Sequence, residues 1–307
     1  MSSDATRTPS ASYFQQLAQR IGGNTLGALL IVVSSVTVAM MMGAVKELSE
    51  SYSVWQILIA RTAGQLLVFL PFLFRGGGAM LKTDRPGMHV ARVLFAFTGL
   101  ACWFYSITHL PLAEASAIGF SKALFLVALA GVIFGERVGI IGWAASIVGF
   151  GGVLLMLDPG GAELNDAVIV AAFGALAGAG ATMAIKSLTR TEGTATMMAY
   201  PAIGLTVLLA VPTALTWEPI TLAALPLFAL SALSGIFTQW CFITAYRYGE
   251  ASVLATVEYS RLIAAAAVGY LVFAEVPGWT ASIGIALIIF ASLVSIRRER
   301  IRAGIFS

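Results

Sequence analysis

Residues 112–137 read LAEASAIGFSKALFLVALAGVIFGER, a run of apolar and small side chains with one full charge, Lys122, well inside it. The run exceeds the roughly 20 residues a helix needs to cross a bilayer. A lysine inside such a helix is costly, so it faces a protein interior or a watery cavity. Nine further apolar stretches have spanning length: 26–45, 54–74, 88–108, 138–157, 167–187, 195–215, 222–245, 251–273 and 279–296. With 112–134 they make ten, each bounded by charge, glycine or proline. The connections are short, which leaves no room for an inserted soluble domain. The pattern predicts an all-α integral membrane protein with ten transmembrane helices.

The text around Lys122 returns later in the chain. Residues 249–276 read GEASVLATVEYSRLIAAAAVGYLVFAEV, so Glu-Ala-Ser recurs at 114–116 and 250–252, and Ser121-Lys122 becomes Ser260-Arg261. Lys46 aligns with Lys186, Gly99 with Gly235, Thr108 with Thr244, and GWAASI at 142–147 with GWTASI at 278–283. The chain therefore divides into an N-terminal segment (1–25), two five-helix repeats (26–158 and 159–297) and a basic tail (298–307). Five is odd, so the second repeat enters the membrane the other way up.

Composition agrees. The chain is 59% hydrophobic and 11% charged, against roughly 25% charged in soluble domains. Residues 1–22 are polar, with Asp4, Arg7 and Arg20, and read as no signal peptide. With both termini in the cytoplasm, the inner side holds Arg75, Lys82, Arg85, Arg137, Lys186, Arg190, Arg247 and the basic tail, and the outer side holds Lys46 alone. Most acids, among them Glu47, Glu50, Asp158, Glu163 and Glu218, then lie outside. This distribution sets the orientation. Cys102 and Cys241 lie in apolar segments and read as small buried hydrophobes, not a disulfide.

Two five-helix repeats, the Gly-Glu-Arg at 135–137 before a glycine-rich fifth helix (142–157), and its echo Ala-Glu-Val at 274–276 resemble the drug/metabolite transporter superfamily, in its EamA type. The resemblance covers about residues 26–297. It implies a ten-helix bacterial inner-membrane exporter or importer of small metabolites, often amino acids. Related sugar-phosphate and nucleotide-sugar translocators also carry cations on the fourth and ninth helices, where Lys122 and Arg261 fall. The additional lysine–arginine pair expected of a phosphate translocator is missing from the ninth helix.

An inverted repeat of membrane helices is the mark of a secondary transporter, with its site near the midplane between repeats. Lys122 has no acid three or four residues away, so it meets a carboxylate across the bundle, water or substrate. Glu258 and Arg261 share a helix face and can neutralise each other. Glu258 is the one carboxylate deep in a span, hence the candidate proton-coupling group. Arg61 and Gln65 lie one turn apart, as an interhelical tie or a cavity wall. Arg92, near the inner end of the third helix, reads as snorkelling to lipid phosphates. Trp103, Gln239, Trp240 and Tyr259, with Ser121 and Ser260, are candidate cavity residues; the tryptophans are equally candidates for core packing. Tyr246 belongs with the interfacial aromatics. Gly131 with Gly135, and Gly174 with Gly178, have the spacing of close helix contacts. Pro201, mid-helix, is a hinge candidate.

Absences exclude classes. No phosphate-binding loop is present, no H-E-x-x-H motif, and the only histidines are His89 and His109. The reading is therefore a transporter and not an enzyme, without cofactor, metal or nucleic-acid partner; a membrane enzyme and a channel are the distant alternatives. The partners are a small-molecule substrate and the lipid bilayer, and a monomer is compatible with the sequence. The expected substrate is a small amphipathic metabolite, foremost an amino acid moving outward, with cationic drugs or phosphorylated and nucleotide metabolites as the alternative.

Overall fold

The computed structural model describes residues 9–75, 81–110, 112–157, 166–273 and 278–305. The described residues form thirteen α-helices: α1 (Pro9–Ile21), α2 (Gly23–Leu48), α3 (Val54–Arg75), α4 (Pro86–His109), α5 (Leu112–Phe120), α6 (Lys122–Phe134), α7 (Gly139–Leu157), α8 (Asp166–Leu188), α9 (Thr194–Leu215), α10 (Leu225–Tyr248), α11 (Ala251–Val257), α12 (Ser260–Phe273) and α13 (Trp279–Ile305). One 3₁₀ turn, Leu222–Ala224, leads into α10. Helix is what apolar runs of this length must form in lipid, because only it satisfies every backbone polar group within the segment.

Among the described residues, seven helical stretches are long and apolar enough to cross a membrane: Gly23–Val45, Val54–Pro71, Pro86–Ser106, Ala115–Phe134, Asp166–Leu188, Thr194–Leu215 and Leu222–Tyr248. Gly139–Leu155 and Ser282–Arg297 are shorter apolar helices. This is an integral membrane protein. Within the N-terminal segment, read from sequence as polar, Pro9–Ile21 forms the amphipathic helix α1.

The helices pair across the chain's two halves. α2 packs on α10, α4 on α8, α3 on α9, and α7 on α13. Exchanging the halves turns the α2–α10 pairing into α8–α4, and returns α3–α9 and α7–α13 to themselves. The α6–α8 contact likewise becomes α12–α2, and both are present. Some contacts have no such counterpart: α11 packs on α6 and α7, and α10 on α8 and α9, whereas among the described residues no comparable packing joins α5 to α12 or α13, or α4 to α2 or α3.

Small residues set the close pairs. A Cβ on Gly174 would lie 2.6 Å from the Cβ of Cys102, so α8 can approach α4 only without one. Gly135 does not pack as the Gly131 spacing suggested. It ends α6 at φ 65°, a left-handed cap, and Glu136 N–H then bonds back to Ala130 O. The core lies where α6, α10, α11 and α12 meet, with Leu126, Val127, Ile243, Tyr246, Leu254 and Tyr259 essentially inaccessible.

Candidate functional site

The two segments carrying Lys122 and Glu258 are broken helices, at matching places in the two halves. Between α5 and α6, Ser121 N–H bonds Ile118 O at 3.0 Å and Leu124 N–H bonds Ser121 O at 2.9 Å. Between α11 and α12, Tyr259 N–H reaches Thr256 O, and Arg261 N–H reaches Glu258 O at 3.1 Å. These are three-residue steps, tighter than the α-helical four, and such turns mark strained or functional points. The Ser121 hydroxyl donates to Ile118 O at 2.6 Å, a local bond that competes with the helical ladder. The first break falls on Ser121 and the second on Glu258–Tyr259, so Lys122 and the duplicated Ser260-Arg261 open the helices that follow.

Across the breaks, Lys122 Nζ lies 2.9 Å from Glu258 Oε2. Tyr246 OH donates to the other oxygen, Oε1, at 2.5 Å. Lys122 also sits 5.4 Å from the centre of the Phe242 ring, within cation–π range. Its side chain is 23% exposed and that of Glu258 8%, so the lysine reaches the cavity while the carboxylate stands behind it. The lysine stem runs over Gly178, where a Cβ would come within 3.4 Å of Cδ. The expected Glu258–Arg261 pairing on one helix face is not made. Lys122–Glu258 is the one salt bridge among the described residues.

Lys122 and Arg261 line a cavity of about 490 Å³ together with Arg61, Trp103, Ser106 and the small residues Gly99, Ala115, Gly119, Ala171, Ala175 and Gly178. Its walls come from α3, α4, α5, α6, α8 and α12. Arg61 lies against Gly235, where a Cβ would meet its Cδ at 2.9 Å, and its Nη1 is 3.6 Å from Met41 Sδ, a weak partner. Arg261 Nε is buried without a hydrogen bond. No acid is among the described lining residues.

Other expected site residues lie elsewhere. Gln65 donates from Nε2 to Met198 O at 3.0 Å, tying α3 to α9. Ser260 shares a 3.1 Å bond with Ser35 of α2. Tyr259 is wholly buried in the core and is not among the residues lining this cavity. Trp240 does not join Trp103. It meets Phe14 of α1 edge-on, ring centroids 5.5 Å apart, and lines a second cavity of about 1180 Å³ between α1, α3, α9 and α10. Gln239, half-buried on α10, lines neither cavity.

Arg92 corrects another expectation. It does not reach out to lipid phosphates; it is 4% exposed and donates from Nη1 to Met197 O at 2.6 Å. Met197 stands four residues before Pro201, so its carbonyl is the one a proline N–H cannot satisfy. Arg92 takes that carbonyl, and α9 runs unbroken through Pro201.

Sequence reading missed Tyr246, Phe242 and Glu136 as working residues. Tyr246 carries no spacing signal linking it to Glu258. Glu136 did carry one, because Gly-Glu-Arg and Glu-Ala-Ser were both singled out as repeated text. In the structure they touch: Glu136 accepts Ala251 N–H at Oε1 and Ser252 N–H at Oε2, each at 3.0 Å, capping α11. The same end of the bundle holds further ties to the second repeat: Asn24 Oδ1 accepts Glu250 N–H at 2.5 Å and Arg85 bonds Ser187 through both terminal nitrogens, while within that repeat Lys186 donates to Gly249 O. The cavity lining runs the other way, from Lys122 toward Ser106 and Ala115. The side chains of Lys46 on α2 and Glu114 on α5 are not described, and Glu275 lies outside the described residues.

The sequence model of the EamA-like transporter family matches residues 25–158 and again 166–297. An S-adenosylmethionine uptake transporter of Rickettsia prowazekii is 30% identical over 236 residues, covering 76% of this chain and 80% of that one. A riboflavin transporter of Rhizobium johnstonii is 30% identical over 260 residues, covering 82% of each. A pseudopaline exporter of Pseudomonas aeruginosa is 28% identical over 280 residues, covering 89% of this chain and 97% of its own. A crystal structure of another protein matches 90% of this chain and 98% of its own with TM-score 0.76 at 17% identity, a shared fold.

Proposed function

Because this chain belongs to the EamA-like transporter family, and is a small-molecule transporter, we propose that it works by alternating access, in the inner membrane of a bacterium with both termini cytoplasmic. The ten helical segments form two inverted repeats, and the substrate sits between them. The observation that carries this reading is the paired helix break: two discontinuous helices in corresponding places, joined by Lys122 and Glu258. Discontinuous helices near the midplane are where secondary transporters build their sites. The exchange of helix contacts between halves supports the two-fold relation. Among the contacts that do not exchange, α6–α11 packing without an α5–α12 counterpart fits a state closed at the Glu136 end and accessible from the other. Under the proposed orientation that state faces outward. Pro201, with its freed carbonyl held by Arg92, is the proposed hinge.

The finer reading, amino acid export, draws support from a carboxylate that Arg261 or Lys122 can meet. Its ammonium half loses its partner, because both Glu258 oxygens are already engaged. Glu258 instead serves coupling: a proton taken up on it releases Lys122. The test is cysteine accessibility in liposomes, in a background with Cys102 and Cys241 replaced by serine, using Ala175→Cys in the cavity. Access from one side only, with the side changing when substrate is supplied, supports the reading. A site sealed from both sides under every condition overturns it.

A further inference from the structure

Three cations line the central cavity, Arg61, Lys122 and Arg261, and no acid does among its described residues. Glu258 answers one of the three from behind the wall. The two guanidiniums therefore have no carboxylate in salt-bridge contact: Arg61 has the Met41 sulfur as a weak partner, and Arg261 keeps a buried, unbonded Nε. Uncompensated charge inside a membrane bundle is expensive and is found where a ligand completes it. A planar guanidinium fork matches carboxylate or phosphate oxygens two at a time. The fourth large wall residue is Trp103, an aromatic surface beside Gly119.

We infer that the cavity takes an organic anion carrying two negative charges next to a flat apolar group, the charges held by Arg61 and Arg261 and the ring lying against Trp103. This rests on the transport reading above and names its substrate class. A zwitterionic amino acid fits less well, since it would leave one guanidinium unanswered and bring an ammonium toward three cations. A cationic drug fits worst. The dianion also suits transport, because loaded carrier then carries no excess charge through the bundle.

The test compares probes that share a phenyl ring and differ in charge: phenylsuccinate, phenyl phosphate, L-phenylalanine and phenethylamine. Binding is read on the purified full chain in detergent, from tryptophan fluorescence and thermal stabilisation. The expected result is half-saturation by the two anions at concentrations about tenfold or more below the other two, one pairing's worth of affinity. Arg261→Gln and Arg61→Gln should each raise the phenylsuccinate half-saturation about tenfold, while Arg261→Lys, which keeps the charge and guards against misfolding, recovers part of it. Equal binding of L-phenylalanine, no saturation by either anion, or unchanged phenylsuccinate binding in folded arginine variants would overturn the inference. Short-chain phosphatidylglycerol is the lipid arm; if it displaces phenylsuccinate at lower concentration, the guanidiniums serve a headgroup and the inference falls. Binding by the anions without saturable uptake of labelled phenylsuccinate into liposomes upholds the site and overturns transport instead.

Discussion

Lys122 and Glu258, 136 residues apart, meet at 2.9 Å, each beside the break in its own discontinuous helix. Tyr246 closes the second carboxylate oxygen, so the three form one buried unit. The unit makes a prediction about stability. Lys122→Met leaves Glu258 buried with a single hydroxyl, and stranding one half of a buried pair costs about 3–5 kcal/mol. Lys122→Met with Glu258→Gln removes both charges and should recover most of that loss. Thermal unfolding of the purified variants checks this; equal destabilisation by the single and double substitutions would refute the pairing's role.

The link between Arg92 and Pro201 predicts a coupling. Arg92→Met leaves the Met197 carbonyl without a donor, a loss of about 1–3 kcal/mol. Pro201→Ala returns an N–H to that carbonyl, so the arginine should matter less in that background. A double-substitution cycle on unfolding midpoints measures the difference. Identical losses in both backgrounds would show that arginine and proline act independently.

Glu136 predicts a change in conformational balance. Its two oxygens accept two N–H groups at the start of α11, and an anion there also complements the helix dipole. Glu136→Gln keeps one acceptor and loses the charge, which weakens the tie between halves. With Ser252→Cys as the reporter, buried at 5% exposure, thiol labelling from the Glu136 end should rise severalfold. Labelling that stays at the parent rate, in protein that binds ligand normally, would count against a gate at this end.

The two mid-span tryptophans should separate. Trp103 lines the central cavity and Trp240 the one beside α1. Trp103→Ala should weaken ligand binding about tenfold, in keeping with stacking worth roughly 1 kcal/mol or more. Trp240→Ala should leave binding unchanged and loosen α1, seen as faster proteolysis near Phe14. A reversed pattern would move the site.

Much of the plan was legible in the text of the chain. Run length marks helices, because lipid enforces internal hydrogen bonding over a fixed thickness. Duplication marks corresponding positions, which is how Lys122 and Arg261 became candidates, and a charge inside an apolar run marks Glu258 and Arg61. These are local properties, or properties of one segment compared with another, and they need no distances. The tertiary structure decided what distances decide. Neither break holds a proline, so only packing puts a 3₁₀ step at Ser121 and at Tyr259. Glu258 had a partner three residues away and another 136 residues away; the broken backbone and the gap over Gly178 gave it to Lys122 and turned Arg261 toward the cavity. Trp103 matches Gln239 and Trp240 matches Phe104 in the aligned repeats, and that one-residue step of about 100° around a helix turns the two tryptophans to different cavities, Trp240 to the one beside α1. Arg92 reads as a lipid anchor until α9 brings it a carbonyl that Pro201 left free. A charged side chain inside a membrane takes the nearest group able to answer it, and which group is nearest is set by how the helices pack.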